Sequence, residues 1–213
     1  MFRISTGLKA VGALAASGLA MTLLGACTPA KMGAAALVGD QRISTSQLNT
    51  AVQQWEKEYT KSPVPSSQLG LDTSSIPRSV LSNLVQFRLM DVAAKSKGVR
   101  VDDGAVATAL GSPQASQLRL QSFALGVPQQ DFRDYMRAYL EAQGIMARVL
   151  PKGQRANPNL AQAALGKVLA DTGRSVRITV NPRYGTFQYN KGLITPSTNR
   201  LSSPESPALP GQG

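Results

Sequence analysis

The chain has 213 residues, with 23 Lys and Arg against 12 Asp and Glu, a formal net charge of +11, one cysteine and no histidine. Without histidine, nucleophiles of the Ser-His-Asp and Cys-His kinds are excluded, and the commonest zinc and iron ligand is missing. The length leaves room for one ordinary domain with tails, and a lone cysteine cannot form a disulfide within the chain.

Residues 1–26 read as a secretory leader. Arg3 and Lys9 make a short positive region, and Ala10 to Leu23 is apolar but short for a bilayer span. The stretch ends in Leu24-Gly25-Ala26-Cys27, which resembles the bacterial lipobox. That resemblance implies cleavage between Ala26 and Cys27 and lipid attachment on the Cys27 thiol, as in palmitate-carrying lipoproteins. Acylation by more than one chain gives stable anchoring where a single chain does not. The expected location is therefore the extracytoplasmic face of the cell membrane. Residues 27–33 form a tether of on the order of 20 Å at most, so the folded part works close to the membrane.

Loss of the leader leaves 21 basic against 12 acidic residues, a net +9. Such an excess invites a nucleic-acid partner. However, no run of five basic residues occurs, and the cations (Lys57, Lys61, Arg78, Arg88, Lys95, Lys97, Arg133, Arg137) are scattered without interleaved aromatics. They read as a solvated surface and not as a nucleic-acid site, with attraction to anionic lipid, polymer or client chains as the functional alternative.

Ala35–Val38 is apolar, Gly39-Asp40 signals a turn, and Arg42-Ile43 returns before a helix start. Ser44 with Gln47 three residues on has capping-box spacing. Leu48, Val52, Trp55 and Tyr59 follow as one helical stripe. At that spacing Trp55 reads as a packing residue, with a ligand platform as the alternative. Lys61 to Ile76 is a loop rich in Pro, Ser and Gly, and Pro77 opens a second helix that runs to about Lys97. Its wide apolar surface marks it as the central, most buried helix, and Gly98 suits its C-terminal cap.

Val99–Val101 is an extended bridge, and Asp102 caps a short third helix holding Val106 and Leu110. Asp102-Asp103 is the one adjacent acidic pair, explained by capping better than by catalysis. After a polar stretch, Leu118, Leu120, Phe123 and Leu125 form an apolar segment, broken at Gly126-Val127-Pro128. A long helix then carries Phe132, Tyr135, Met136, Tyr139, Leu140, Met146, Val149 and Leu150, with Asp134–Arg137 and Arg137–Glu141 expected as pairs on its outer face. Pro151–Ala156 is a short connection. Asn157-Pro158 opens a last helix that Gly173 should end.

Val176, Ile178 and Val180 alternate with Arg177 and Thr179 as one strand. A lone strand cannot satisfy its backbone, and the only other strand-like candidate is Ala35–Ile43 at the opposite end. The expectation is that the two ends pair and close the helices into one domain. Residues 191–213, with four prolines among Ser, Thr, Gly and Asn, read as a disordered tail.

The order of ALVGDQRISTSQL, a long helix, KSKGVRVDDGAV, the LGVPQQDFRDYMR helix and VRITVNPRYGTF resembles the SurA/PrsA family of extracytoplasmic chaperones and foldases, over about Ala34 to Phe187. The resemblance implies a mainly α fold, a helical SurA-type chaperone module over 34–190 with a small β-pairing between the N-terminal hairpin segment and a C-terminal strand. In that family, parvulin prolyl-isomerase domains are inserted after the long helix. Here the eight residues Pro151–Pro158 cannot contain one. The implied function is non-catalytic holding of unfolded or secreted polypeptides, with no metal, no cofactor and no enzyme activity. The adaptable Met90, Met136 and Met146 are candidate client contacts, though core packing accounts for each. The alternatives are an envelope adaptor for one protein partner and, less well supported, an isomerase-related foldase.

Overall fold

The computed structural model describes residues 33–62 and 64–197. Cys27, Ala26, the leader and most of the tether lie outside the described residues, as does the chain from Thr198 onward.

Two strands open the fold: β1 (Ala34–Val38) and β2 (Gln41–Ser44), joined by Gly39-Asp40 and paired in register Val38↔Gln41 and Ala36↔Ile43. Gly39 has φ of +61°, the left-handed conformation that tight two-residue hairpins favour. Ser44 then caps α1 (Thr45–Tyr59) through a complete capping box. Gln47 N–H donates to Ser44 Oγ at 3.0 Å, and Ser44 N–H donates to Gln47 Oε1 at 2.8 Å. The Leu48, Ala51, Val52 and Trp55 stripe is buried.

The second helix, α2 (Ile76–Ser96), is the hub: it packs against α1 and β1 and against the later elements α5 (Phe132–Val149), α6 (Pro158–Val176) and β5 (Leu193–Thr195), and it buries Val80, Leu81, Val85, Leu89, Ala93 and Ala94. It ends in a Schellman turn, with Gly98 at φ +66° and Val99 N–H donating to Ala94 O at 2.8 Å. The short α3 (Asp103–Leu110) and α4 (Ala115–Ala124) follow, and Asp102 Oδ1 accepts Ala105 N–H at 2.7 Å as the cap of α3. Together with α5 (Phe132–Val149) they enclose a second core of Val106, Ala115, Phe132 and Met136. A third core joins Ala93 and Ala94 to Ile145 of α5 and to Leu165, Val168 and Leu169 of α6 (Pro158–Val176).

Strand β3 (Ile178–Val180) pairs antiparallel with β1, Ala36↔Val180 and Val38↔Ile178, giving the sheet order β2-β1-β3. The two ends of the described chain therefore meet as expected. Three expectations need correction. Helix α6 runs past Gly173 to Val176, and the strand shortens accordingly. Gly173 lies inside α6, buried, because Tyr189 and Ile178 pack where a Cβ would stand, at 3.0 Å and 3.2 Å. The reversal into β3 falls to Arg177, at φ +57°.

The second correction concerns the C-terminal segment. Strands β4 (Thr186–Gln188) and β5 (Leu193–Thr195) form a hairpin whose Phe187 and Ile194 enter the main core. Ile194 N–H donates to Ser82 Oγ on α2 at 3.0 Å. The ordered domain thus extends to Thr195, into the stretch that composition alone assigns to a tail. The third concerns the outer face of α5. Arg137 reaches across to α3, with Asp103 Oδ1 at 2.5 Å and Val101 O at 2.6 Å, and Glu141 turns inward and is 5% exposed.

The link from α5 to α6 is a single 3-10 turn, Lys152–Gln154, and residues 151–160 are all exposed.

Candidate functional site

The loop between α1 and α2 borders two troughs, one apolar and one of mixed character. Trp55 and Tyr59 lie one turn apart on α1, and their rings stack at 5.1 Å and 6°. Phe123 of α4 packs against Trp55 at 5.7 Å, and the indole N–H donates to Phe123 O at 2.9 Å. The loop is clipped to the same corner, since Gly70 N–H donates to Ala124 O at 3.0 Å. Asn83 of α2 donates to Leu125 O at 2.8 Å. These bonds hold open a trough of about 360 Å³ lined by Trp55, Tyr59, Leu69, Thr73 and Ile76. On the loop's other side lies a trough of about 300 Å³, where Leu71, Leu125, Leu193 and Ile194 face Asp72, Arg78 and Asn83. Leu125 and Leu193 are 44% and 38% exposed, and Leu120 on α4 is 62% exposed. Large apolar side chains left in water side by side are a binding surface more often than a surface accident.

A third cleft, of about 270 Å³, lies between α1, α2 and the start of α5. Ala51, Leu84 and Phe87 line it together with Arg88, Asp131 and Asp134. Burial pushes the Asp131 carboxyl up to about 6, helped by Asp134 and Glu58 and opposed by Arg88. Glu58 Oε2 is occupied by Gln129 N–H at 2.9 Å. Glu141, between α5 and α2, is pushed up to about 7 by burial and by Asp91, against the pull of Arg137 and Lys95. Among the described residues no group of three His, Cys, Asp or Glu is placed to hold a metal ion.

Of the residues singled out from sequence, Asp102 is a helix cap and Asp103 an ion-pair partner. Asp103 is bound by Arg133 at 3.0 Å and by Arg137, whose hydrogen bonds and charge hold its carboxyl below the usual range. Trp55 is a packing residue at 1% exposure that also forms one edge of a trough. Met136 is sealed in the second core, and Met90 packs on the third; neither lines a trough. Lys95 pairs with Asp91 at 2.7 Å and Arg78 with Asp72 at 2.9 Å, so part of the positive surface is locally neutralised. Leu69, Leu71, Leu125 and Leu193 were not separable by sequence from core leucines. The alternation of Thr186-Phe187-Gln188-Tyr189 around Asn190-Lys191-Gly192 was the available sign of the hairpin that presents Leu193.

The family described as the SurA-like N-terminal domain matches residues 4–162, most of the chain. The chain belongs to that family. Among the described residues, six α-helices with small antiparallel strand pairs make the mainly helical module that a SurA-type architecture entails. The SurA-like match stops within α6, whereas β3, β4 and β5 complete the main core beyond it. No curated protein and no solved structure matches the chain. Membership relates the chain to a chaperone family whose N-terminal module alone is of a non-catalytic type. No described helix is long and apolar enough to cross a membrane.

Proposed function

We propose that this SurA-like chain is a non-catalytic holder of unfolded or secreted polypeptides, anchored to the extracytoplasmic face of the cell membrane through a lipid on Cys27. The observation that carries the reading is the pair of troughs bordering the α1–α2 loop, one apolar and one mixed in character, with Leu125 and Leu193 exposed on the rim of the mixed one. Extended client segments present side chains every 3.3 Å or so. Shallow apolar troughs accept such side chains without demanding one sequence, and they shield them from other unfolded chains. The net positive charge favours encounter with acidic segments and with anionic lipid.

The test is suppression of aggregation of a chemically unfolded client by the purified chain at near-stoichiometric amounts. Leu125→Glu and Leu193→Glu change exposed positions and should leave the fold intact while reducing suppression several-fold. Unchanged suppression in both variants would remove the trough they line from the mechanism. One dominant co-purifying protein in place of a spread of secreted chains would indicate an adaptor. For the anchor, Cys27→Ala should abolish incorporation of labelled palmitate and release the chain from the membrane fraction.

A further inference from the structure

A cleft of about 590 Å³, roomier than either trough, lies between α2, α6 and the turn of the β4–β5 hairpin. Its charge is one-sided: Lys167 and Arg174 of α6 and Lys191 of the turn line it against a single carboxylate, Asp171. That carboxylate is already shared. Lys167 Nζ lies 2.7 Å from Asp171 Oδ2, and Arg174 Nη1 lies 3.3 Å from Asp171 Oδ1. The Lys167 hydrogen bond, with the charges of Lys167, Arg174 and Lys97, holds the Asp171 carboxyl below the usual range. Lys191 is exposed, and among the described residues no carboxylate pairs with it. Three cations less one carboxylate leave the lining at +2.

Charge is not its only feature. Leu89 and Leu169 add apolar surface. Gln86 donates Nε2–H to Gly192 O at 2.8 Å, which ties α2 to the hairpin and leaves the Gln86 amide oxygen as an acceptor. Tyr189 walls the cleft beside Arg174, whose guanidinium stands 5.9 Å from the ring centroid. Gly166 leaves the middle of the α6 wall bare, since a Cβ there would meet nothing within 4 Å. From Gln162 to Arg174 the lining face of α6 rises about 18 Å, the length of about five residues of extended chain. An inorganic polyphosphate would use the cations alone. An acidic peptide with apolar side chains uses the cations, the amide acceptor and the leucines together.

We infer that this cleft binds an extended acidic peptide segment of about five residues, with its carboxylates on Lys167, Arg174 and Lys191. The binding stands on the cleft itself; its use, capture of acidic stretches in client chains, rests on the holding function proposed above.

The probe is a fluorescein-labelled pentapeptide of alternating glutamate and leucine, read by fluorescence anisotropy against the purified chain. The counterpart with glutamine in place of glutamate should bind about tenfold more weakly or worse. Lys191→Glu reverses an exposed cation, and Gly166→Glu sets a carboxylate in open space one residue from Lys167. Each should weaken the acidic peptide about tenfold, with thermal melts matching the parent, while Lys191→Arg should retain it. Lys152→Glu makes the same reversal on the exposed α5–α6 link and should leave the affinity unchanged. Equal binding of the two peptides, or an equal loss in Lys152→Glu, overturns the inference. Inorganic polyphosphate that binds more tightly than the peptide, with the same dependence on Lys191 and Gly166, assigns the cleft to a phosphate polymer and overturns it too. The aggregation assay separates the two readings. If the peptide binds while the chain suppresses no aggregation, the cleft stands and the holding function falls. If the peptide does not bind while Leu125→Glu still impairs holding, the cleft falls and the holding function stands.

Discussion

Glu141 is a carboxylate that the fold keeps from water and gives no described ion-pair partner. Its pKa is raised to about 7, first by burial and then by Asp91, so between its ordinary value and 7 the folded state holds a proton that the unfolded state has released. Stability from this group is complete below about 4.5 and falls as pH rises through 7. Glu141→Gln, which keeps the shape without the charge, should therefore stabilise the protein at pH 8. At about 1.4 kcal/mol per unit the gain is up to about 3 kcal/mol, and it should vanish near pH 4.5. Thermal melts of both proteins across that range check it. Trp55 makes a complementary case. Trp55→Phe keeps much of the ring packing but strands the Phe123 carbonyl, which should cost about 1–3 kcal/mol in urea unfolding. At this scale the sequence is readable wherever a partner is within a few residues. The Ser44–Gln47 box and the Asp102 cap are local and follow from spacing alone. Phe123 lies 68 residues from Trp55, and Asp91 lies 50 from Glu141, so neither the indole's acceptor nor the carboxylate's repulsion has a sequence signature.

Among the elements, one tight junction lies between α5 and the turn after α2. Gly144 faces Val99, and a Cβ there would collide with Val99 Cγ1. Val99 is β-branched and held by the Schellman turn, so it has little freedom to yield. Gly144→Ala should destabilise by about 1–3 kcal/mol through overpacking. The double variant with Val99→Ala should recover most of that loss, and a double-mutant cycle by chemical denaturation measures the coupling. An isolated glycine within a helical pattern signals nothing about what approaches it, so this contact was not readable, nor was the true role of Gly173. The helices themselves were readable because their stripes are long and their ends carry strong signals, such as Asn157-Pro158. The β4–β5 hairpin escaped because each strand is three residues, too short for alternation to stand out from a Pro- and Gly-rich surrounding.

For the molecule as a whole, the last twenty residues before Ser197 decide whether there is a core. Ile178, Tyr184, Phe187 and Ile194 are all 8% exposed or less and belong to the same cluster as Val38, Leu81 and Val85. Burying four such side chains contributes roughly 6–12 kcal/mol, the same size as the stability of an entire domain. A chain ended after Val176 should therefore lose its cooperative thermal transition and its near-ultraviolet circular dichroism, even though all six helices remain in its sequence. The SurA-like match, which stops at residue 162, does not mark a separable folding unit. That the two ends would pair was readable, because a single alternating strand late in the sequence had only one partner to find. Which further strands would join them was not.

That pairing also sets a clock. Asn181 donates to Ala34 O across 147 residues of sequence, and β1 bonds β3 from the same region. At 5–20 residues per second, β1 and β2 exist for roughly 10 s during synthesis before β3 is made. Throughout that interval the outer edge of β1 presents unpaired backbone groups to any neighbouring chain. Closing so long a loop is slow compared with forming the helices it encloses. The nascent protein thus passes through a stage with helices formed, the core open and a strand edge bare, in which it is itself the kind of chain that a holder of unfolded polypeptides would bind.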